Sequence, residues 1–151
     1  MAVDSRRVYV AVRSRYRGCD PEDKESRRRG FDHVAVFDLD AGAVPSRSLL
    51  TTNDPTDVAL TKQWLWVAAG RNTVLQVDPE NGTINDQLTV GDGLTSGAAD
   101  EDGIWALSRN NKTGLGTVTR IDPNAVETVR NPIDVDGMPL GLAGDQIFGA
   151  R

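Results

Sequence analysis

Short apolar runs, separated by Gly, Pro, Asn and Asp, recur along most of the chain. Residues 55–95 contain a succession of such runs, namely Thr56–Leu60, Trp64–Ala69, Val74–Asp78 and Ile84–Val90. Short runs rich in Val, Ile, Thr and aromatic residues, bounded by turn residues, are typical of β-strands joined by hairpins. The pattern therefore predicts a four-stranded antiparallel meander over 55–95.

The same pattern returns at intervals of about 41 to 43 residues. Strand-like runs that end in Asp begin at Val34, Val74 and Val118, with offsets of 40 and 44 residues. An aliphatic residue followed by an aromatic one recurs in step, at Val8-Tyr9, Leu65-Trp66, Ile104-Trp105 and Ile147-Phe148. A period in the low forties with four strands per unit indicates a β-propeller blade. The predicted fold is all-β, a partial β-propeller of about three four-stranded blades plus extra strands.

We expect residues 1–151 to form a single β-propeller fragment. Blade 1 is predicted over 8–52, with its second, third and fourth strands and an inserted loop over 13–33. Blade 2 is predicted over 55–94, blade 3 over 95–137, and the start of a fourth blade over 138–151. Small residues such as Gly97, Ala98 and Gly141 suit the innermost strand, because blades converge there and space is least.

The stretch Val74–Ile84 reads VLQVDPENGTI and has two interpretations. Asp78, Glu80 and Asn81 crowd oxygen atoms around a glycine, as a calcium loop does, but Asn81-Gly82 is also a strong signal for a tight hairpin. The acid-rich spots at Asp54–Asp57, Asp100–Asp102 and Asp134–Asp136 lack an acid at the spacing of an EF-hand loop, so we predict turn-forming acids there, with acids around a central channel as the alternative for Asp57. The Asp-Pro pair of the 74–84 stretch recurs one repeat later at Asp122, which places that stretch in a repeated turn. We therefore predict a hairpin corner at this position and no metal site.

The segments PTDVAL, WLWVA, NTVLQVDPENGTI, TSGAADEDGIWALSR and GTVTRIDP together resemble the YVTN-type and streptogramin-lyase-like β-propeller repeats of bacteria. The resemblance covers residues 34–151 and part of 8–12. It implies a propeller but no particular activity, because this fold hosts many unrelated functions. The streptogramin-lyase resemblance implies a metal held near more than one His and an acid, a pattern that the single His33 does not meet. We therefore assign no catalytic residue and no cofactor.

The charge is distributed unevenly between one segment and the rest of the chain. The formal net charge is −5, but residues 13–33 carry +2, which leaves −7 on the remainder. An acidic body repels the phosphate backbone, so we expect no nucleic-acid partner. No run of about 18 apolar residues exists, so we expect no membrane insertion. Cys19 has no second Cys with which to form a disulfide or a structural zinc site.

The charged segment is also the one large departure from the repeat. Tyr9 and Trp66 are 57 residues apart where about 40 are expected, so about 17 residues are inserted into blade 1. Long loops in compact domains are usually functional or disordered. We predict that four of its arginines, Arg17, Arg27, Arg28 and Arg29, contact an anionic ligand or an acidic partner protein. The alternative is a solvated loop without a binding role.

The predicted function is a non-catalytic binding, scaffold or sensor module for a small ligand or a protein partner. The alternative is a lyase-like or hydrolase-like enzyme whose catalytic residues lie largely in blades that this sequence does not contain. Three blades leave two apolar faces open, so we expect either a piece of a longer ring or a homodimer that completes the ring. An extracytoplasmic or cell-surface location is favoured for the parent protein, although this sequence has no signal peptide.

Overall fold

The computed structural model describes residues 1–13, 32–41, 45–51, 54–99, 103–110, 112–129, 132–135, 138–143 and 146–150. All of the regular elements within these ranges are β-strands. They form three antiparallel sheets, called blades 1 to 3, followed by a hairpin. The prediction of an all-β fold with about three four-stranded blades is confirmed.

The strands follow one another in chain order from the innermost to the outermost in each blade. Blade 1 contains β1 (Ala2–Val3), β2 (Arg7–Val12), β3 (His33–Asp38) and β4 (Arg47–Thr51). Blade 2 contains β5 (Pro55–Leu60), β6 (Leu65–Ala69), β7 (Thr73–Val77) and β8 (Ile84–Thr89). Blade 3 contains β9 (Leu94–Ala99), β10 (Ile104–Arg109), β11 (Gly116–Asp122), β12 (Glu127–Thr128) and β13 (Ile133–Val135). The hairpin consists of β14 (Met138–Ala143) and β15 (Gln146–Ala150).

Blades 1 and 3 differ from the predicted strand plan at one strand each. In blade 1 an innermost strand, β1, pairs with Val8 and Tyr9, whereas the sequence analysis began this blade at its second strand. Two residues are too few to show an alternating pattern, which explains the omission. In blade 3 the outermost strand is split, because β12 and β13 pair separately with β11.

The repeat places one aromatic residue at the same register position in each blade. Trp66 pairs with Ala59 and Gln76, and Trp105 pairs with Ala98 and Arg120. Tyr9 takes the corresponding place in blade 1, where it pairs with Ala2 and Val36. The positions of strand pairing are therefore equivalent across all three blades.

Alternation of side chains along the strands builds one apolar core at each junction between blades. The core between blades 1 and 2 contains Ala2, Tyr9, Val34, Val36, Val58, Leu65, Val67, Ala69, Leu75 and Val77. The core between blades 2 and 3 contains Ala59, Trp66, Ala68, Val74, Leu94, Ile104, Ala106 and Ile121. Blade 2 thus buries both of its faces, one against each neighbour.

Candidate functional site

The connections between strands divide each blade into two ends. One end, here called the loop end, carries the link between the second and third strands of each blade and the link from each blade to the next. It includes residues 70–72 of blade 2, residues 112–115 of blade 3 and, in blade 1, the residues on either side of the predicted insertion, Arg13 and Asp32. The opposite end, here called the corner end, carries the turns 78–82 and 122–126.

Both flanks of the insertion are attached to Asp54 at the loop end. Arg13, which precedes the insertion, forms an ion pair with the Asp54 carboxylate. Asp32, which follows it, accepts a hydrogen bond from the backbone N–H of Asp54 at 2.8 Å. The carbonyl of Asp54 in turn accepts a hydrogen bond from the N–H of Gly70 in blade 2 at 3.1 Å. The base of the insertion is therefore fixed at the junction between blades 1 and 2.

Asp54 holds this position in a left-handed backbone conformation. Its φ is 57°, a region that few residues other than glycine adopt and that Asp and Asn tolerate best. The conformation turns the chain from blade 1 into β5, and it leaves the N–H, the carbonyl and the carboxylate of one residue each with a different partner. This conformation agrees with the predicted role of Asp54 as a turn residue.

The loop end continues across blades 2 and 3 through backbone hydrogen bonds. The N–H of Leu94 donates to the carbonyl of Arg71 at 2.7 Å, and the N–H of Arg109 donates to the carbonyl of Gly93 at 2.9 Å. The side chains of Arg71 and Lys112 are exposed at this end. These backbone hydrogen bonds therefore connect blade 2 with blade 3 at the same end of the molecule as the base of the insertion.

The four predicted binding residues, Arg17, Arg27, Arg28 and Arg29, lie outside the described residues. Their assignment as ligand- or partner-binding residues stays a prediction. The structure adds the anchor at Asp54, which the sequence analysis did not connect with the insertion. The signal for it was weak, since Asp54 and Asp32 are 22 residues apart and share no motif.

The corner end is fastened by side chains that reach from one blade to the next. Arg7 donates to Glu80 at 2.7 Å, and Arg47 donates to the carbonyl of Pro79 at 3.0 Å and to the carbonyl of Glu80. The turn 78–82 is therefore a hairpin corner, as the sequence predicts, and side chains of blade 1 hold it in place. At the next junction Gln76 donates to the carbonyl of Pro123 at 2.8 Å.

Two carboxyl groups of blades 1 and 2 are electrostatically stabilised at the corner end. The hydrogen bond from Arg7 is the main reason that the pKa of Glu80 is below its usual value. Burial of Asp4 raises its pKa, but hydrogen bonds from the N–H groups of Arg6 and Arg7 and from the Tyr9 hydroxyl outweigh burial, so the pKa is lowered overall. Both carboxylates therefore accept hydrogen bonds that stabilise the turns at this end.

Asp57 joins all three blades at the innermost strands. Its carboxylate accepts hydrogen bonds from Ser96 Oγ at 2.9 Å and from the N–H of Gly97 at 3.1 Å in blade 3. It also lies 3.1 Å from the amino group of Met1 in blade 1. The sequence predicts that this acid forms a turn, with acids around a central channel as the alternative. The turn interpretation is wrong for Asp57, because the residue lies within β5 and links blades.

A small cavity lies among the described residues between blades 2 and 3. The cavity, lined by residues that include Asp57, Trp66 and Ser96, has a volume of about 10 Å³, which is room for one water molecule.

Within the described ranges no three metal-ligating side chains come together. His33 begins β3 and pairs with Val12. The described part of the chain has no helix that is long and apolar enough to cross a membrane.

These sheets, with equivalent registers and converging inner strands, define a β-propeller fold. Among solved structures the chain is similar to Kuenenia stuttgartiensis hydrazine synthase, with a TM-score of 0.61 and 19% identity over 72% of this chain. It is also similar to Saccharomyces cerevisiae Sqt1, with a TM-score of 0.59 and 12% identity over 79% of the chain. A third similar structure is the Neurospora crassa Pan2 WD40 domain, with a TM-score of 0.56 and 18% identity over 74% of the chain.

Identities this low support the fold alone. The chain spans about a third of each of these structures, namely 32%, 33% and 36% of their lengths. No family model matches the sequence, and no curated protein matches it. The propeller part of the predicted resemblance is therefore confirmed.

Proposed function

We propose that this chain is a non-catalytic β-propeller binding or scaffold module that holds an anionic ligand or an acidic partner surface at its loop end. The observation that carries the proposal is the attachment of both flanks of the insertion to Asp54. A rigid base presents a loop at a defined place, which lowers the entropy cost of binding. The resemblance to YVTN-type bacterial repeats, whose domains serve as such modules, supports the same function.

The chemistry of the insertion determines the class of ligand. Arg17, Arg27, Arg28 and Arg29 would offer guanidinium groups, which bind carboxylates and phosphates through paired hydrogen bonds. Exposed Arg71 and Lys112 add positive charge at the same end. Because the chain as a whole is acidic, an anionic ligand would be attracted to this end and repelled elsewhere.

The test is to replace all four loop arginines by Ala and to measure binding of a short fluorescein-labelled polyglutamate peptide by fluorescence anisotropy, with inorganic phosphate as a competitor. We expect binding to be lost and the melting temperature to be nearly unchanged. A variant with four Lys at these positions keeps the charge. We expect it to bind more weakly, because Lys lacks the planar guanidinium group that donates paired hydrogen bonds. An Arg6→Ala variant at the corner end serves as the control and should bind normally.

Two outcomes would contradict the proposal. Wild-type protein that does not bind either anion lacks the predicted site. A quadruple Ala variant that loses stability together with binding has a structural loop. Polyglutamate binding that phosphate does not displace would indicate an acidic protein partner, whereas phosphate binding alone would indicate a small anionic ligand.

We also propose that the outward face of blade 1 is covered by another blade, supplied by a second copy that completes the ring. Val8, Val10 and Phe37 on this face are half-buried. Their register equivalents in blade 2, Leu65, Val67 and Val77, are each 0% exposed. A face with the same pattern as a buried one favours the same type of partner.

Light scattering tests this second proposal. We expect a uniform dimer for the wild-type chain and a monomer for Val10→Lys, because a buried charge at the contact has no partner. In the structure β1 already pairs with Val8 and Tyr9, so any exchanged strand would have to compete with it. A uniform wild-type monomer at every concentration would rule out the dimer, and heterogeneous aggregates would indicate blades that only a longer chain supplies.

A further inference from the structure

Asn81-Gly82 is the one Asn-Gly pair in the sequence, and this pair has a reactivity of its own. The backbone nitrogen of the glycine can attack Cγ of the asparagine side chain, since glycine has no side chain to hinder the approach. A bond forms between that nitrogen and Cγ, the bond from Cγ to Nδ2 breaks, and ammonia leaves. Water then opens the resulting five-membered imide, which gives aspartate or isoaspartate.

The folded turn keeps each reacting group in a hydrogen bond. The Gly82 nitrogen donates to the carbonyl of Asp78 at 2.9 Å. The Asn81 side chain donates through Nδ2 to Asp78 Oδ2 at 2.7 Å and accepts through Oδ1 from the N–H of Thr83 at 2.7 Å. Attack on Cγ requires the Gly82 nitrogen to leave its acceptor and to lose its proton. The native turn therefore opposes the reaction although Asn81 itself is exposed to water.

Blade 1 holds this turn in its native shape. Arg47 donates to the carbonyl of Pro79 at 3.0 Å and also to that of Glu80, while Arg7 binds the Glu80 carboxylate at 2.7 Å. Gly82 lies so close to the backbone of Leu49 in β4 that a Cβ at Gly82 would collide with it. The turn belongs to blade 2, but the contacts that restrain it come from blade 1.

We propose that Asn81 is a self-modification site whose hydrolytic deamidation is gated by the docking of blade 1 on blade 2. While the blades are docked, the Gly82 nitrogen stays bound to Asp78 and the reaction is slow. When blade 1 separates, the turn opens, and Asn81 and water are converted to aspartate or isoaspartate and ammonia. The extent of deamidation at Asn81 therefore increases with the time that this junction spends open.

The product would weaken the contact that protected its precursor. A carboxylate at position 81 has no Nδ2 donor and repels Asp78 Oδ2, which the amide bound at 2.7 Å. Isoaspartate adds one carbon to the backbone and displaces the Gly82 nitrogen from the Asp78 carbonyl. Modification would therefore favour the open junction over the docked one.

Peptide mapping by mass spectrometry during incubation at mildly alkaline pH tests the proposal. We expect Asn81 in the wild-type protein to deamidate far more slowly than in urea-unfolded protein. Arg47→Ala should raise the native rate about fivefold, which converts to about 1 kcal/mol, because it removes both hydrogen bonds from Arg47 to the turn. Arg7→Gln should raise it less, because it removes the exposed contact alone. Asn124, in the equivalent turn of blade 3 but followed by Ala125, serves as an internal control and should stay unmodified.

Two results would overturn the proposal. Equal rates in folded and unfolded protein would show that the turn gives no protection. A rate that Arg47→Ala and Arg7→Gln both leave unchanged, while urea raises it, would show that the turn protects itself without blade 1. Arg71→Ala, at the loop end, controls for loss of a surface charge. If Arg47→Ala does not fold, Arg7→Gln and Arg47→Lys supply the same comparison.

Discussion

Blade 2 packs against a blade on each side, and its two junctions are fastened by different polar contacts. Toward blade 1 the contacts are charged and near the surface, with Arg7 and Arg47 reaching the turn at Glu80. Toward blade 3 they are largely buried, with Gln76, 1% exposed, donating to the carbonyl of Pro123. Both junctions nevertheless place an aromatic residue of the preceding blade, Tyr9 or Trp66, in the apolar core.

The difference shows which part of a junction the repeat specifies. The free energy of apolar burial is proportional to the buried area and requires only that apolar side chains lie on the face that packs against the next blade. The apolar core therefore recurs in each repeat. A donor for the carbonyl of the Asp-Pro turn is needed at both junctions, but Gln76 of β7 supplies it at one and Arg47 of β4 at the other. The apolar positions are therefore repeated, whereas the polar contacts are particular to each junction.

The largest expected effect compares the aromatic residues of blades 2 and 3. Trp66 is 1% exposed between two blades, so Trp66→Ala should cost about 3–5 kcal/mol of unfolding free energy. Trp105 is half-buried on the far face of blade 3, with the Arg120 guanidinium 5.4 Å from its ring centre, so Trp105→Ala should cost about half as much. Urea denaturation measures both losses as shifts of the midpoint at constant slope. Equal losses would show that the two faces are equally covered in solution.

A smaller effect compares the two corner turns. Gly82 has φ 77° and Val126, which occupies the same place in the next turn, has φ 51°. Gly82→Ala should cost about 2 kcal/mol or more, because left-handed strain adds to the collision with Leu49. Val126→Gly should change stability by less than about 1 kcal/mol, since relief of strain offsets lost packing and greater chain entropy. Thermal or urea unfolding of both variants tests this, and a harmless Gly82→Ala would contradict the close packing of the turn on blade 1.

The strand plan of blade 2 could be predicted to within about one residue because its signals are local. Alternating apolar residues and turn residues within 55–90 mark each strand, and four strands in order leave one simple meander. The aromatic positions were equally accessible, since Trp66 and Trp105 repeat with the period. Local pattern is thus enough for the fold.

The polar contacts between blades could not be predicted, because the two residues that form each contact are far apart in sequence. Arg7 and Glu80 are 73 residues apart, and Asp57 and Ser96 are 39 apart. Polar residues on a repeat can serve in turns, in junctions or in a site, and composition does not separate these roles. The candidate site was predicted as far as the position of the insertion, and its anchor at Asp54 needed the structure.

The next effect compares the two donors to the Asp-Pro turns. Gln76→Ala should cost about 1–3 kcal/mol, because it removes a buried donor from the Pro123 carbonyl and also the acceptor of Asn85. Arg47→Ala should cost about 1 kcal/mol, since water reaches that turn and can replace the lost hydrogen bond. Urea unfolding at low and high salt measures both. A loss for Arg47→Ala that equals that of Gln76→Ala would mean that the charged contact at the surface is as strong as the buried neutral one.

The smallest expected effect is on the dependence of stability on pH, and it concerns Asp4 of blade 1, which binds the N–H of Arg7 beside the charged junction. The pKa of Asp4 in the folded protein is below its ordinary value of 3.8. A lowered folded pKa contributes stability that is fully present above the unfolded pKa and is lost as pH falls through the folded pKa. The melting temperature should therefore fall more steeply with acid in wild type than in Asp4→Asn, below about pH 4.

Asp4→Asn keeps the side-chain acceptor for the N–H groups of Arg6 and Arg7, both at 2.7 Å, but has no charge. Asp134→Asn, on the exposed split outer strand of blade 3, is the matched control for loss of a carboxylate. We expect the control to keep the wild-type slope. Identical acid slopes for wild type and both variants would mean that the Asp4 carboxylate does not stabilise the fold beside Arg7, and that the contrast with the junction to blade 3 rests on Arg7 and Arg47 alone.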